Sequence, residues 1–210
     1  MARCFGSMMV CGAIAARSPC ATRYSLTQRE GGCVIELSAS QPFAGLHLPF
    51  SHGATRLSAI VPARMTMIAP FPGKTEALVK LLGGFPAPGE VFEPHLRLVW
   101  AGREQALAFG EGLPDGLETC ASLNDQSDSW AGAILEGEDA KAVLARLVAM
   151  DLRALPAPSS ARTMLGHLPL LLVKESEAEF QLWTYRSMAG SLKNDLDQAM
   201  RSVAARRAVT

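Results

Sequence analysis

The strongest constraint in this chain is a hydrophobic period that switches from two residues to about 3.6 and back, twice, in the same order. Met65–Ala69 alternates as a strand and is stopped by Pro70 and Pro72. Ala77, Leu78, Leu81 and Leu82 then fall on one helix face. Gly83-Gly84 ends that helix, because glycine takes the left-handed cap conformation without steric cost. After the turn segment Phe85-Pro86-Ala87-Pro88-Gly89, Leu96–Trp100 and Ala106–Phe109 read as two strands across a turn at Gly102.

The order repeats downstream. Trp130–Leu135 reads as a buried strand, and Gly137 starts a helix carrying Ala140, Val143, Leu144, Leu147 and Val148 on one face. Glu138 and Asp139 are expected to complement its dipole. Past the Pro156-Ala157-Pro158 linker, Ala161–Leu165, Pro169–Lys174 and Phe180–Tyr185 read as strands. Ser187 is expected to cap a last helix with Met188, Leu192, Leu196, Ala199 and Val203 inward. Two strand–helix–strand–strand units predict an α+β sandwich of ferredoxin-like type, mostly antiparallel, in which the two units share a sheet. The expected organisation is a weakly ordered extension over 1–55, a first α+β subdomain over 56–122 and a second over 123–210. Within the extension, Cys33–Leu37 alternates as a short strand.

Charge narrows the function classes. Lys+Arg 20 against Asp+Glu 20 gives zero formal charge over 210 residues, which argues against a whole-surface nucleic-acid binder. The distribution is uneven: eight acids and no base lie between Glu111 and Asp139, whereas Lys141 to Thr210 holds ten bases and six acids. Two readings stand, a solvated acidic loop beside a basic helix, or a patterned docking face. Five cysteines, none in a C-x-x-C pair, lack zinc spacing and suit a reducing compartment. Phe5–Ala16 imitates a secretory signal, but one base precedes it and it has no leucine. A leader or misassigned start on a cytoplasmic protein is the expectation. No run approaches the length of a membrane-spanning helix.

Motifs that carry chemistry are sparse. There is no phosphate loop, no dinucleotide fingerprint and no Gly-x-Ser-x-Gly. Gly73-Lys74-Thr75 opens a helix and reads as an ordinary helix start. His167 reads as structural, and Asn124, Asp125 and Asp128 as solvated loop residues rather than an acid–base pair. His47 and His52 lie close enough to Cys33 in sequence to leave a metal cluster open. No catalytic, cofactor or metal residue is assigned. Trp100, Trp130 and Trp183 fall inside strands and are core by default. Trp183 and Tyr185 share a face and precede Arg186, which makes the three a candidate interface, with core packing of Trp183 as the alternative.

One stretch carries a family resemblance. Asp125-Gln126-Ser127, Gly137, Asp139-Ala140 and Val143-Leu144, followed by Met150-Asp151-Leu152, Ala161–Leu172 and Phe180–Ser187, resemble the gamma subunit of heterotetrameric sarcosine oxidase. Leu98–Gly102 resembles that family's strand and turn. The likeness covers about residues 56–205. That subunit is related to the folate-binding T-protein (aminomethyltransferase), so the resemblance implies a T-protein-like sandwich. It departs from the family at Arg103-Glu104-Gln105-Ala106, where the family has Pro-Asp-Glu-Trp. It departs from the T-protein at Gly166-His167-Leu168-Pro169-Leu170-Leu171, where apolar residues replace an acid pair. A leucine moves no proton. The resemblance thus implies a non-catalytic subunit that stabilises larger alpha and beta flavoprotein subunits and accompanies a small delta subunit. FAD, FMN, NAD and tetrahydrofolate would sit on those partners, and none on this chain. The alternative is a stand-alone folate-binding, aminomethyltransferase-like one-carbon protein.

Overall fold

The computed structural model describes residues 39–209 except 62, 63 and 94. The strand read at Cys33–Leu37 lies outside the described residues, as do Cys4, Cys11, Cys20 and Cys33. In chain order the elements are β1 (Phe50–His52), β2 (Thr55–Ile60), β3 (Met65–Pro70), α1 (Thr75–Leu82), β4 (Val91–Phe92), β5 (Arg97–Gly102), β6 (Gln105–Phe109), β7 (Ala121–Asp125), β8 (Trp130–Gly137), α2 (Ala140–Leu144), β9 (Ser159–Leu165), β10 (Leu168–Lys174), β11 (Glu179–Tyr185) and α3 (Ala189–Arg207).

The strands form two sheets in which every pairing is antiparallel: six strands in the order β1-β2-β8-β11-β10-β9, and five in the order β4-β5-β6-β3-β7. The α+β sandwich and both strand–helix–strand–strand units are present. The units do not share a sheet; each builds its own, and the two sheets pack face to face. The alternation along each strand sets this layering. Leu171, Val173, Trp183 and Trp130 of the larger sheet meet Met65, Val99, Ala101 and Leu107 of the smaller one. The opposite faces, Leu170, Leu172, Phe180 and Leu182 on one sheet and Ile68, Leu98 and Ala108 on the other, turn outward under helices.

Two strands cross the sequence boundaries. β2 leaves the first unit and pairs with β8, Leu57 against Leu135. β7 spans the 122/123 boundary and closes the smaller sheet against β3. Residues 41–55 belong to the compact unit that runs over 41–210. Phe43 is buried, and Leu46, Leu48 and Phe50 pack on the main core. These apolar residues are what tie that part of the extension down.

Helix ends show where local rules yield to pairing. α1 ends at Gly83 with φ 75, as the glycine pair requires. α2 holds five residues only; Gly137 ends β8 instead of starting a helix, and Val148 forms a bridge with Leu165. A β-branched residue there gains more from a sheet partner than from a further helical turn. Glu138 and Asp139 make no side-chain cap; both carboxylates bind Arg207. Ser187 does not cap α3 either, since it lies in a short 3₁₀ turn and Met188 stands at the cap.

Candidate protein interface

Trp183 and Tyr185 lie on the inner face of β11, and their fates differ. Trp183 is 1% exposed. Its ring packs 5.1 Å from that of Phe109 across the sheets, and its Nε1 donates to Gln181 Oε1 at 3.2 Å. Gly132 lies opposite it on β8, and a Cβ there would come 2.4 Å from the indole. Of the two alternatives for Trp183, the structure holds it as core. Tyr185 is 41% exposed and packs on Trp130 with ring centroids 5.4 Å apart. Arg186 is half-buried and faces Asp128 at 3.6 Å.

Two residues that sequence reasoning left out complete this edge. Arg162 of β9 places its guanidinium 5.6 Å from the Trp130 ring centre, a cation–π contact. Met164 is 46% exposed. Trp130 is buried, yet its Nε1 has no hydrogen-bond partner among the described residues. Nothing in the spacing of Arg162 announces this contact, because it crosses two intervening strands.

The remaining candidates for chemistry are satisfied locally. Asp125 Oδ1 accepts from Ser127 Oγ at 2.6 Å and Ser127 N at 3.0 Å, and these bonds hold its carboxyl below the usual carboxylate range. A general acid needs the opposite shift. Asn124 and Asp128 are exposed, and His167 is exposed at the β9–β10 turn. Lys74 stands at the start of α1 without a side-chain cap. Among the described residues, no three His, Cys, Asp or Glu side chains could hold a metal ion together. Cys120 is buried.

Five of the eight acids between Glu111 and Asp139 face arginines of the same chain: Asp125 with Arg64, Asp128 with Arg186, Glu136 with Arg56, and Glu138 and Asp139 with Arg207. The charge asymmetry is thus largely folded back on itself.

Two polar centres were not legible in the sequence. Asp197, buried on α3, accepts from His52 Nε2 (2.8 Å), Lys193 Nζ (3.0 Å) and Arg201 Nε (2.8 Å). Burial opposes its charge, but the three donors outweigh that and hold the carboxyl at about 2. The cluster ties the β1–β2 hairpin to α3. Lys174, 1% exposed, reaches Leu155 O at 2.7 Å, Leu152 O at 3.4 Å and Glu177 at 2.7 Å. Lys141 and Lys174 together bring the Glu177 carboxyl down to about 2. An open cleft of about 630 Å³ beside them is lined by Lys141, Met150, Leu152 and Arg153, but its charges are already paired with Glu177 and Asp151. Among the described residues no helix is long and apolar enough to cross a membrane.

No family model and no curated protein matches this chain. Among solved structures, a chain of the heterotetrameric sarcosine oxidase from Corynebacterium sp. U-96, in complex with pyrrole 2-carboxylate, superposes with a TM-score of 0.69 at 24% identity. The match covers 79% of this chain and 96% of that one, so nearly all of the second chain's length has a counterpart in this fold. An aspartate kinase from Clostridium acetobutylicum overlaps 71% of this chain and 34% of its own at 10% identity; at a TM-score of 0.33 that carries no argument.

Proposed function

We propose that this chain is the small, non-catalytic gamma subunit of a cytoplasmic heterotetrameric oxidase of the sarcosine oxidase type. In this reading it is held against larger flavin-bearing subunits that oxidatively demethylate sarcosine or a related N-methyl amino acid. The observation that carries the reading is the fold match over 96% of a chain from an enzyme of that type. The coverage figures also make that chain the shorter of the two, as a small subunit would be. The state of the acids supports a non-catalytic role. Asp125 and Asp197 are held low by their donors, and apolar Leu170 and Leu171, both buried, stand where the T-protein has its acid pair. What such a chain contributes is a rigid surface for its partners.

The test is purification of the tagged full chain from its own cells. The expected result is a yellow eluate with larger flavin-bearing chains and sarcosine-dependent oxidase activity. A solitary, colourless chain that binds tetrahydrofolate would overturn the reading in favour of the one-carbon alternative.

A further inference from the structure

At one end of the larger sheet the inner face runs out from under the smaller sheet. One cross-strand row there joins Arg162, Leu171, Trp183 and Gly132. Leu171 and Trp183 are buried against the other sheet. The next row outward pairs Met164 with Pro169 and Tyr185 with Trp130. Met164 and Tyr185 have the same inward-facing parity as Trp183, yet they are 46% and 41% exposed. A sheet face patterned for burial is here left open.

Three features of this end point to an occupant. Arg162 is exposed, lies over the Trp130 ring, and pairs with no carboxylate among the described residues. Trp130 Nε1 is buried beneath Tyr185 and Arg162 without an acceptor. An unpaired buried donor is costly, and an incoming acceptor recovers that cost. Trp, Tyr, Arg and Met are also the residues enriched at the desolvated centres of protein interfaces.

We propose that this end of the sheet is the surface on which a partner subunit docks an acidic segment with an apolar flank. A carboxylate of the partner pairs with Arg162, and an acceptor of the same segment reaches the Trp130 indole N–H after Tyr185 shifts aside. An apolar side chain of the partner covers Met164 and Tyr185. The match is electrostatic as well as apolar: Arg162 forms no ion pair among the described residues, and the Asp128 carboxylate, just before Trp130 in the chain, already faces Arg186. Exposed apolar residues outside this row, Val79 and Leu81 on α1, serve as the control surface.

This inference rests on the subunit reading, and the experiment separates the two. The tagged full chain is purified with its flavin-bearing partners as wild type, Arg162→Glu, Tyr185→Ala and Leu81→Ser. Flavin recovered per chain is the first readout, and thermal melting of each variant controls for folding. Arg162→Glu should lower flavin recovery by about tenfold or more, the range of a central interface residue. Tyr185→Ala should lower it several-fold, and Leu81→Ser should leave it unchanged. Hydroxyl-radical oxidation of Met164 should slow in the wild-type complex relative to the free chain. Wild-type flavin recovery in both edge variants, or equal Met164 oxidation in complex and free chain, overturns the docking surface while the subunit reading stands. A wild-type chain that recovers no flavin-bearing partner overturns both.

Discussion

The outer faces of the two sheets are closed to very different degrees. Over the six-stranded sheet lie α3, nineteen residues long, and α2, with twenty-one buried apolar residues in the layer between. Over the five-stranded sheet lie the eight-residue α1 and a 3₁₀ turn, with eight. A rise of 1.5 Å per residue makes α3 roughly 28 Å long, against roughly 24 Å for the width of six strands. α1 spans only about 12 Å over a sheet about 19 Å wide. Only Leu78 and Leu82 of α1 are buried, while Val79 and Leu81 are exposed. A long helix saturates the face it covers and a short one does not, so the larger sheet should carry most of the stability.

The side chain common to both halves should cost most. Trp183→Ala removes the indole that fills the space between Gly132 and Phe109, and about 3–5 kcal/mol should be lost on urea unfolding. A loss below about 2 kcal/mol would show that the sheets do not depend on each other. Next comes the direct comparison of the two outer layers. Leu196 on α3 and Leu78 on α1 are both fully buried. Truncation to Ala should cost about 4 kcal/mol at Leu196 and about 2–3 kcal/mol at Leu78, where the thin layer can collapse into the space. Equal losses would break the contrast between the faces.

Much of this architecture was readable because one face of each element is apolar. The helix over 75–82, its glycine stop, and all seven strands read from the sequence within the described residues stand within a few residues of where the period puts them. What escaped was pairing over long sequence distance. β2 has no strong alternation of its own and is a strand because Leu57 completes the core against Leu135. β7 is polar and exposed over most of its length and is held as an edge by β3. The same limit applies at the candidate interface. Trp183 and Tyr185 share a face, as their spacing requires, but which of them stays exposed depends on where the second sheet ends. Arg162 belongs to the edge only through the fold.

Close packing between the sheets gives a smaller and sharper test. Gly132→Ala puts a methyl within 2.4 Å of the Trp183 ring, so the ring must move into the Phe109 contact. About 1–3 kcal/mol should be lost on urea unfolding. A glycine on the outer layer with open space around its Cβ, such as Gly190 on α3, should tolerate alanine or gain slightly. If Gly132→Ala is also neutral, the inner layer is looser than the geometry states.

The Asp197 cluster adds a pH signature to the larger sheet. Its folded carboxyl titrates at about 2, below the 3.8 of an ordinary aspartate. A depressed folded value means the stabilisation is complete above the unfolded value and fades as pH falls from about 4 towards 2. Asp197→Asn should cost about 1 kcal/mol at neutral pH, a figure reduced for solvent screening, and the gap to wild type should close near pH 2. A gap independent of pH would mean that the loss is steric.

The smallest effect belongs to the charges at the surface, and it sharpens the comparison from the other side. Arg207 binds Glu138 at 3.1 Å and Asp139 at 2.7 Å, linking the end of α3 to the start of α2 above the larger sheet. All three side chains reach solvent, where an ion pair gains little because water and salt screen it and two long side chains must be held still. Arg207→Ala should therefore leave the urea midpoint unchanged at physiological salt, with at most a small shift at low salt. A clear loss at physiological salt would mean that the larger sheet is clamped by charge as well as by Leu192, Leu196 and Met200. No change would leave the apolar layer under α3 as the cause of its stability. The acids from Asp125 to Asp139 would then be partners for arginines of this chain that set its surface charge, whereas Arg162, which pairs with no carboxylate among the described residues, would still present its charge beside the Trp130 ring.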